Sequence, residues 1–316
     1  MIVTVTTNPS LDRTVSLAEP LRVGAVQAAR ASREDAGGKG INVSRVLAAA
    51  GHATVAVLPL DDSDPFAAAL RDARLPVRSV RVHGAARANL TIADAAGVTT
   101  KLNLPGVALS AADAAALADA VVETAAGADW LVLAGSLAPG LPDDYYVTLM
   151  RAVRARWGAH APAVAVDASG AALRAIVAAG GADLIKPNDE ELTELAGRPL
   201  DDSLPLADAV RERAAEFVPS RVGAAFVTLG SAGAVLVTPD GAWHGTPPPT
   251  QVRSTVGAGD SSLAGFLVAR AAGATPEDCV RAGIRYGSAA AALPGTQAPA
   301  PHDLPTGDVP VRKLTH

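Results

Sequence analysis

The amino-acid sequence predicts an α/β protein with a mainly parallel central sheet flanked by helices. Apolar, strand-like runs alternate with helix-like stretches through most of the 316 residues, which is the pattern of this fold class. Most of the runs are continuously apolar, as expected for parallel strands that are buried on both faces. Two stretches alternate apolar and polar residues instead, which indicates strands with only one covered face. The sequence therefore predicts a large sheet and a smaller β element.

The strands predicted for the central sheet are short apolar runs bounded by polar or glycine-rich segments. They lie at residues 2–6, 54–60, 130–134, 164–167, 184–187, 225–229 and 234–238. Helical patterns lie near residues 40–50, 64–73, 110–126, 143–157, 171–179, 189–197, 203–217, 260–272 and 277–292. The first of these has apolar residues at Val43, Val46, Leu47 and Ala50, the i, i+3, i+4, i+7 spacing of one helix face. The run VPVRKL at 309–314 favours an edge strand.

Residues 12–30 and 76–105 interrupt the alternation of strands and helices. Apolar residues recur there with a period of two, for example at 80–82 and 90–92, and no helical period is present. We interpret these two segments as the strands of a small lid. We expect the lid to belong to a single domain that spans residues 1–316.

Composition and charge exclude several functional classes. The chain has 27 basic and 32 acidic side chains and a net charge of −5, so neither nucleic acid nor an acidic membrane surface is an expected partner. No apolar run approaches the roughly 20 residues that span a bilayer. The single cysteine, Cys279, has no intrachain partner for a disulfide and favours a reducing, cytoplasmic compartment.

The segment TVGAGD at 255–260 is the strongest local signal for chemistry. Gly257, Ala258 and Gly259 are small, so backbone amides at the start of the following helix can converge on one anion, and the helix dipole adds positive potential. Asp260 supplies a carboxylate that could take a proton from a hydroxyl group attacking a phosphoryl group. The alternative is an ordinary helix N-cap by Asp260.

A second glycine-rich segment, GGKGINVSR at 37–45, also opens a helix. Gly38 permits a ligand to approach the backbone closely, and Lys39 supplies a cation for a phosphate or a sugar oxygen. Asn42 and Arg45 lie off the apolar stripe and could face a ligand. A glycine-rich turn with a solvated lysine remains the alternative. Neither glycine motif has the spacing of a Walker A loop or of a dinucleotide fingerprint.

Two further segments allow both a functional and a structural interpretation. In KPNDEE at 186–191, Asn188 and Glu191 could hold Mg²⁺ through water, or they could form a capping box at a helix start. The segment TLGSAG at 228–233 could contact a nucleotide or form a hairpin, and local features favour the hairpin.

Four scattered polar residues could hold a phosphorylated sugar. Asp12 and Ser136 each follow a predicted strand and could hydrogen-bond to sugar hydroxyls, whereas Arg87 and Lys101 lie in the proposed lid and could pair with a phosphate. Taken one at a time, these residues also fit ordinary turn and surface positions.

Together, the motifs resemble those of the ribokinase-like, or PfkB, family of carbohydrate kinases. Both signature segments of that family are present, at 37–51 and 255–267, with KPNDEEL and TLGSAG between them. Within the family the chain is most similar to the 1-phosphofructokinase subgroup, and next to the tagatose-6-phosphate kinases. The segments that carry this finer similarity are TTNPSLDRT, RANLTI, TTKLNLPG, KPNDEEL and LPGTQ.

The resemblance implies a ribokinase-like fold with a β-stranded lid that often forms a homodimer contact. It also implies ATP and Mg²⁺ as cofactors and phosphorylation of D-fructose 1-phosphate at its 6-hydroxyl group. Asp260 would be the base, and the amides of 257–260 would form the anion hole. Tagatose 6-phosphate or fructose 6-phosphate as the substrate, and a non-catalytic sugar-phosphate sensor, remain alternatives.

The resemblance also assigns residues to the two substrates. The positions that match the sugar-phosphate side are Asp12, Gly38, Lys39, Asn42, Arg87 and Ser136, with Lys101 as a further candidate. The positions that match the ATP side are Lys186, Asn188, Thr228, Gly230, Ser231, Gly233, Ser254, Val256, Gly287 and Ala291. Glu191 matches a position tied to Mg²⁺. Ser254 replaces an aspartate found in many members, so it cannot supply the carboxylate that this aspartate would bring to a monovalent-cation site.

Overall fold

The computed structural model describes residues 1–95 and 98–315, whose strands form two separate sheets. In chain order the strands are β1 (Ile2–Val5), β2 (Ser10–Leu17), β3 (Ala29–Gly37), β4 (Thr54–Leu60), β5 (Val77–Arg81), β6 (Arg87–Ala93), β7 (Thr99–Asn103), β8 (Trp130–Ala134), β9 (Ala163–Asp167), β10 (Leu184–Ile185), β11 (Ala225–Thr228), β12 (Ala234–Thr238), β13 (Gly241–Gly245) and β14 (Val311–Leu314).

The central sheet contains ten of these strands, in the order β14-β13-β12-β11-β10-β9-β8-β1-β4-β5. The strands from β11 to β5 in that order pair in parallel, whereas β12, β13 and β14 add antiparallel neighbours. All seven strands predicted for this sheet are confirmed, and so is the edge strand near the C-terminus. Continuous burial of strands such as β1 explains their unbroken apolar sequences.

Helices cover both faces of the central sheet. They are α1 (Lys39–Ala49), α2 (Pro65–Asp72), α3 (Ala111–Thr124), α4 (Tyr145–Trp157), α5 (Gly170–Ala179), α6 (Asp189–Ala196), α7 (Leu206–Ala215), α8 (Ala258–Ala271) and α9 (Pro276–Ala292). One core cluster unites α1, α8 and α9 with the sheet, and another unites α3 to α7 with its opposite face. In the described parts of the chain, no helix has both the length and the apolar character needed to cross a membrane.

The small sheet has the strand order β3-β2-β6-β7. The pairing places Asp12 opposite Asp35 on one side and opposite Asn89 on the other, so these three side chains share one face of the sheet. Leu90 and Leu102 are paired on the other face. The small sheet therefore has one polar and one largely apolar surface.

The structure corrects the predicted boundaries of the lid. Residues 77–81, included in the segment 76–105, form β5 at the edge of the central sheet, because edge strands and lid strands share the same alternating pattern. The first lid segment also runs from Ser10 to Gly37 rather than over 12–30, since β3 is polar and carries no alternating apolar signal. Residues 96 and 97 of the second segment lie outside the described residues.

Candidate active site

The carboxyl ends of the parallel strands form the edge of the sheet at which the polar motifs meet. Asp167 ends β9, and Lys186 follows β10 directly. Helix α1 begins at Lys39, and α8 begins beside it. Ligands bind at this edge in open α/β sheets because the loops and helix starts converge there. The fold thus places both glycine-rich motifs next to the same two strand ends.

Asp260 is buried in the first turn of α8, where its carboxylate accepts a 2.8 Å hydrogen bond from the side-chain amide of Asn42. The helix begins at Ala258, two residues before the predicted start, and Gly257 is its N-cap with a φ of 77°. The alternative that Asp260 caps the helix is therefore wrong. No side chain caps these first amides. The amide of Ala258 donates to the carbonyl oxygen of Thr255 at 3.4 Å, whereas those of Gly259 and Asp260 are available to an anionic ligand.

The environment of Asp260 suits it to proton transfer near neutral pH. Burial raises the pKa of its carboxyl group to about 6, and the negative charge of Asp167 acts in the same direction. Lys39, Asn42 and Lys186 partly offset this effect. A carboxyl group with this pKa is ionised at pH 7 and is still a stronger base than an exposed aspartate.

Asp167 is a completely buried carboxylate that binds two lysines, and no sequence motif predicted a role for it. Lys39 Nζ lies 2.6 Å from one carboxylate oxygen, and Lys186 Nζ lies 3.2 Å from the other. Burial alone would disfavour its charge, but the two lysines outweigh burial and lower the pKa of Asp167. A lone acidic residue at the end of a predicted buried strand was the signal that could have identified it.

The two lysines bring positive charge to the start of α8. Burial opposes the charge of Lys39, but Asp167, Asp260 and Glu191 together raise its pKa, so it stays protonated. A Cβ atom placed on Gly259 would lie 3.3 Å from Lys186 Nζ, so this ammonium group faces the backbone of the motif. Free amides and a lysine around one point can offset the charge of a phosphoryl group.

Asn188 and Glu191 form a capping box at the start of α6. The Asn188 side chain accepts a 2.6 Å bond from the Glu191 amide, and the Glu191 carboxylate accepts a 2.9 Å bond from the Asn188 amide. The structural interpretation is thus confirmed. The other Glu191 oxygen lies 4.0 Å from Lys39 Nζ, so the same carboxylate also borders the site.

Asp12 lies on the polar face of the small sheet and is positioned by its neighbours. Its carboxylate accepts hydrogen bonds from Ser10 Oγ at 2.8 Å and from Asn89 Nδ2 at 2.9 Å. Burial raises its pKa despite these bonds and despite the nearby charge of Arg87. Arg87 itself has a buried Nε that makes no hydrogen bond within the described residues. Unmet hydrogen-bonding capacity of this kind suits a ligand-binding surface.

Three other residues that were predicted to bind the sugar phosphate differ in their surroundings. Gly38 is the N-cap of α1 with a φ of 121°, a conformation that glycine adopts readily. Ser136 is exposed, and its hydroxyl accepts a 3.3 Å bond from Asn8 in the loop after β1. Lys101 is exposed on β7, paired with Thr91. The structure records no contact between Lys101 and Asp260 or the two site lysines.

The residues in 228–233 that were predicted to contact ATP lie at the turn between β11 and β12. These strands are antiparallel, so the hairpin favoured on local grounds is confirmed. A short 3₁₀ turn covers Gly230–Ala232, with Ser231 exposed, and Thr228 forms a bridge to Asn188. This turn therefore lies beside the start of α6.

The remaining ATP-side candidates connect α9 with the loop before α8. The carbonyl oxygen of Ala291 accepts the amides of Arg253 at 2.8 Å and of Ser254 at 3.2 Å. Ser254 Oγ in turn accepts the amide of Val256 at 3.2 Å. Gly287 is buried where α9 packs against Ser262 of α8. The loop that leads into the motif is thus fixed to the end of α9.

The acidic groups fit a metal ion only when phosphates share its coordination. Within residues 1–95 and 98–315, no group of three or more His, Cys, Asp or Glu side chains could hold a metal ion. Asp167 is already bound to two lysines, which leaves Glu191 at the border of the site. One carboxylate together with waters and substrate phosphates is a common arrangement for Mg²⁺.

Comparisons with known proteins indicate the family of the chain and agree with its fold. Residues 6–303 match the model of the pfkB family carbohydrate kinases. The chain is 37% identical to the 1-phosphofructokinase of Rhodobacter capsulatus, over 96% of this chain and 94% of that protein. It is 34% identical to ATP-dependent 6-phosphofructokinase isozyme 2 of Escherichia coli, over 94% of each chain. The crystal structure of phosphofructokinase-2 from Escherichia coli in complex with substrates and products superposes with a TM-score of 0.87, at 34% identity and 96% coverage of both chains. The chain therefore belongs to the pfkB family of carbohydrate kinases.

Proposed function

We propose that this protein uses MgATP to phosphorylate D-fructose 1-phosphate at its 6-hydroxyl group, which gives fructose 1,6-bisphosphate. The observation that carries the proposal is the buried carboxylate of Asp260, which Asn42 holds at the uncapped start of α8 beside Lys39 and Lys186. Relatives named 1-phosphofructokinase match over nearly the whole chain, which supports the choice of sugar.

Asp260 acts as the general base. It takes the proton of the 6-hydroxyl group as the hydroxyl oxygen forms a bond to the γ-phosphorus and the bond from that phosphorus to the β–γ bridging oxygen breaks. ADP leaves, and the proton passes from Asp260 to solvent. The hydrogen bond from Asn42 keeps the carboxylate oriented, so positioning contributes to the rate together with proton transfer.

Backbone amides and lysines offset the charge of the moving phosphoryl group. The amides of Gly257, Gly259 and Asp260 lie at a helix start that no side chain caps, and Lys186 lies beside Gly259. Because Asp167 holds this lysine in place before the substrate arrives, little reorganisation is needed in the transition state. Lys39, held by the same carboxylate, extends the positive potential toward the sugar.

The phosphate of the sugar binds on the side of the small sheet. Arg87 offers an unpaired, buried N–H group there, and Asp12 accepts hydrogen bonds from sugar hydroxyls. Gly38 and Ser136 border this region. Closure of the small sheet over the sugar would exclude water that could otherwise attack ATP.

The nucleotide lies on the other side of α8, along the turn at 228–233, the loop from Ser254 to Val256, and the end of α9 at Gly287 and Ala291. Asn188 borders this region at the start of α6. Glu191 would hold Mg²⁺ through water. When bound, the ion neutralises part of the negative charge on the ATP phosphates.

Fructose 6-phosphate is the second candidate substrate. It is supported by a relative named ATP-dependent 6-phosphofructokinase, which is 34% identical over 94% of this chain. A coupled ADP-release assay with MgATP would compare fructose 1-phosphate, fructose 6-phosphate, tagatose 6-phosphate, fructose and ribose. We expect kcat/KM for fructose 1-phosphate to exceed every other value at least about tenfold, or ~1.4 kcal/mol of transition-state binding.

The outcomes of this assay separate the parts of the proposal. Preference for another phosphosugar overturns the substrate and retains Asp260 as the base. Turnover of none of the five sugars contradicts the proposed activity and favours a sensor of sugar phosphates.

The enzyme forms a homodimer through the apolar face of the small sheet. Leu102 is 52% exposed there, and Val98 and Leu104 beside β7 are 62% and 49% exposed. An exposed apolar surface of this kind is typical of an interaction site. A solved relative from Escherichia coli is described as a tetrameric inhibited form. We expect the enzyme to act in the cytoplasm, where phosphosugars and ATP are present.

A further inference from the structure

Arg45 is the residue of the first glycine-rich motif that the reaction described above leaves unused. Lys39, Asn42 and Arg45 are the half-buried residues of the first two turns of α1, and they recur every three positions between fully buried neighbours. Lys39 binds Asp167, and Asn42 binds Asp260. Arg45 follows Asn42 by about 4.5 Å along the helix axis.

The charged groups around Arg45 belong to the polar face of that sheet. Asp35 is the strongest electrostatic neighbour, followed by Arg33 and Asp12. Asp35 is already engaged, since it accepts hydrogen bonds from Arg33 at 2.7 Å and from the Thr296 hydroxyl at 3.4 Å. Arg45 forms no ion pair within 4.0 Å of either aspartate. The positive charge of Arg45 therefore lies near the carboxylates of Asp35 and Asp12, which already accept hydrogen bonds from other residues.

The guanidinium of Arg45 has an unmet hydrogen-bonding group. Its Nη1 is buried without a hydrogen-bond partner among the residues that the structure describes. Burial also lowers the pKa of Arg45, which reflects the cost of keeping this charge away from water. A buried donor without an acceptor is unfavourable, so the arrangement becomes more favourable once an acceptor occupies the space.

Arg87 shows the same feature on the other side of Asp12. Its Nε is buried without a partner in the described part of the chain, and Asp12 is its electrostatic neighbour. Two guanidinium groups with unused N–H donors thus share Asp12 as an electrostatic neighbour, and Asp12 binds sugar hydroxyls in the proposed reaction. A phosphate group offers several charged acceptor oxygens and can bind two arginines at once.

We propose that Arg45 binds the phosphate group of the sugar substrate together with Arg87, and so contributes to the selection of phosphorylated over unphosphorylated sugars. The proposal rests on the function proposed above and adds a second phosphate ligand to it. Arg45 acts on binding of the sugar and takes no part in proton transfer. The negative charge of Asp35, the strongest electrostatic neighbour of Arg45, opposes the binding of a phosphate beside it.

The test uses the full-length protein and the phosphosugar that the wild-type enzyme turns over best in the five-sugar assay. Arg45→Gln is compared with Arg13→Gln. Arg13 neighbours Asp12 on β2 but points to the opposite face, where it pairs with Glu34. Calorimetry without ATP gives the Kd of the phosphosugar, and steady-state assays give KM and kcat. Thermal melts record the stability of each variant.

We expect Arg45→Gln to raise Kd and KM for the phosphosugar about 10- to 100-fold, as for loss of a charge-assisted hydrogen bond. We expect kcat and the KM for ATP to change less than about threefold, and Arg13→Gln to match the wild type. Equal phosphosugar Kd values for Arg45→Gln and wild type would overturn the proposal.

Asp35→Asn separates phosphate binding from a structural ion pair. If Arg45 binds the phosphate, removal of the competing charge lowers the phosphosugar Kd. If Arg45 only supports Asp35, Asp35→Asn weakens binding as Arg45→Gln does, which contradicts the proposal. The wild-type enzyme identifies the preferred phosphosugar before any variant is tested. A wrong choice of substrate therefore appears in the five-sugar assay, whereas a wrong role for Arg45 appears in the Kd values of the variants.

Discussion

The side-chain amide of Asn42 donates a 2.8 Å hydrogen bond to the carboxylate of Asp260, although 218 residues separate them in the sequence. This bond joins the two glycine-rich motifs and fixes the start of α1 against α8. The Asn42 Oδ1 atom is buried without a partner in the described residues. Asn42 can thus orient the proposed base with one atom and accept a hydrogen bond from the sugar with the other.

Asp260→Asn should abolish turnover and stabilise the fold. We expect kcat to fall by orders of magnitude while ATP binding is retained, since the amide cannot accept the hydroxyl proton at neutral pH. The pKa of about 6 lies above the ordinary value of 3.8, so the folded state is destabilised when this carboxylate is ionised. At pH 7 the variant should therefore gain on the order of 2–3 kcal/mol in unfolding free energy.

Urea denaturation at several pH values would check this second expectation. The gain should be fully present above about pH 6 and disappear toward pH 4, where the folded wild-type protein has protonated Asp260. Asp143→Asn, at an exposed position, is the matched control and should change neither activity nor stability. Near-normal turnover of Asp260→Asn would refute its role as the base.

The pH dependence of kcat/KM should report the ionisation of Asp260. Because the base must be ionised, we expect kcat/KM to fall as pH drops through about 6. Asn42→Ala removes a hydrogen bond that favours the charged carboxylate, so the midpoint should move to higher pH. A profile that is flat between pH 5 and 8, measured with saturating MgATP, would contradict this assignment.

The ion pairs of Asp167 should make a large contribution to stability. Asp167 is fully buried, and Lys186 is only 4% exposed. Asp167→Asn leaves buried ammonium charge without its partner, which should lower the unfolding free energy by about 3–5 kcal/mol. Adding Lys186→Met to this variant should restore part of the loss. Urea denaturation of the two single variants and the double variant measures this coupling, and strictly additive losses would show that the pair is not coupled.

Leu102→Glu should dissociate the proposed dimer. The substitution places a charge on the edge strand β7, on the apolar face of the small sheet, where burial in an interface would be costly. Light scattering after size-exclusion chromatography would give the mass of the wild type and of the variant. Leu206→Glu, at a 41% exposed leucine at the start of α7, is the control and should leave the mass unchanged. A wild-type mass of one chain would exclude this dimer.

Most of the fold could be predicted because buried parallel strands and amphipathic helices leave strong patterns in the sequence. β5 was assigned to the wrong sheet because an edge strand and a lid strand alternate in the same way. β3 was missed in part because its outer residues are exposed and polar. In both cases the neighbouring strand decides which sheet the segment joins and how far it extends. The local sequence pattern does not show which strand that neighbour is.

The site was predictable where a motif carried the chemistry and not where tertiary contacts created it. Asp260 and Lys39 were identified from their glycine-rich surroundings. Asp167 was not, because its importance comes from Lys39 and Lys186, which strand order brings to it from distant positions. The position of Asp167 at a strand end was visible, but the convergence of the two lysines depends on the order β10-β9-β8.

The position of β1 inside the ten-stranded sheet has a consequence for how the chain folds. This strand pairs with β4 and with β8, so Val3 lies opposite both Val55 and Leu131. Its second partner is synthesised more than a hundred residues later, so a nascent chain holds an apolar strand with one open edge for much of translation. Such non-local pairing slows folding and leaves an edge that can pair with other chains. During this interval a chaperone that covers the open edge of β1 would protect the nascent chain from such pairing.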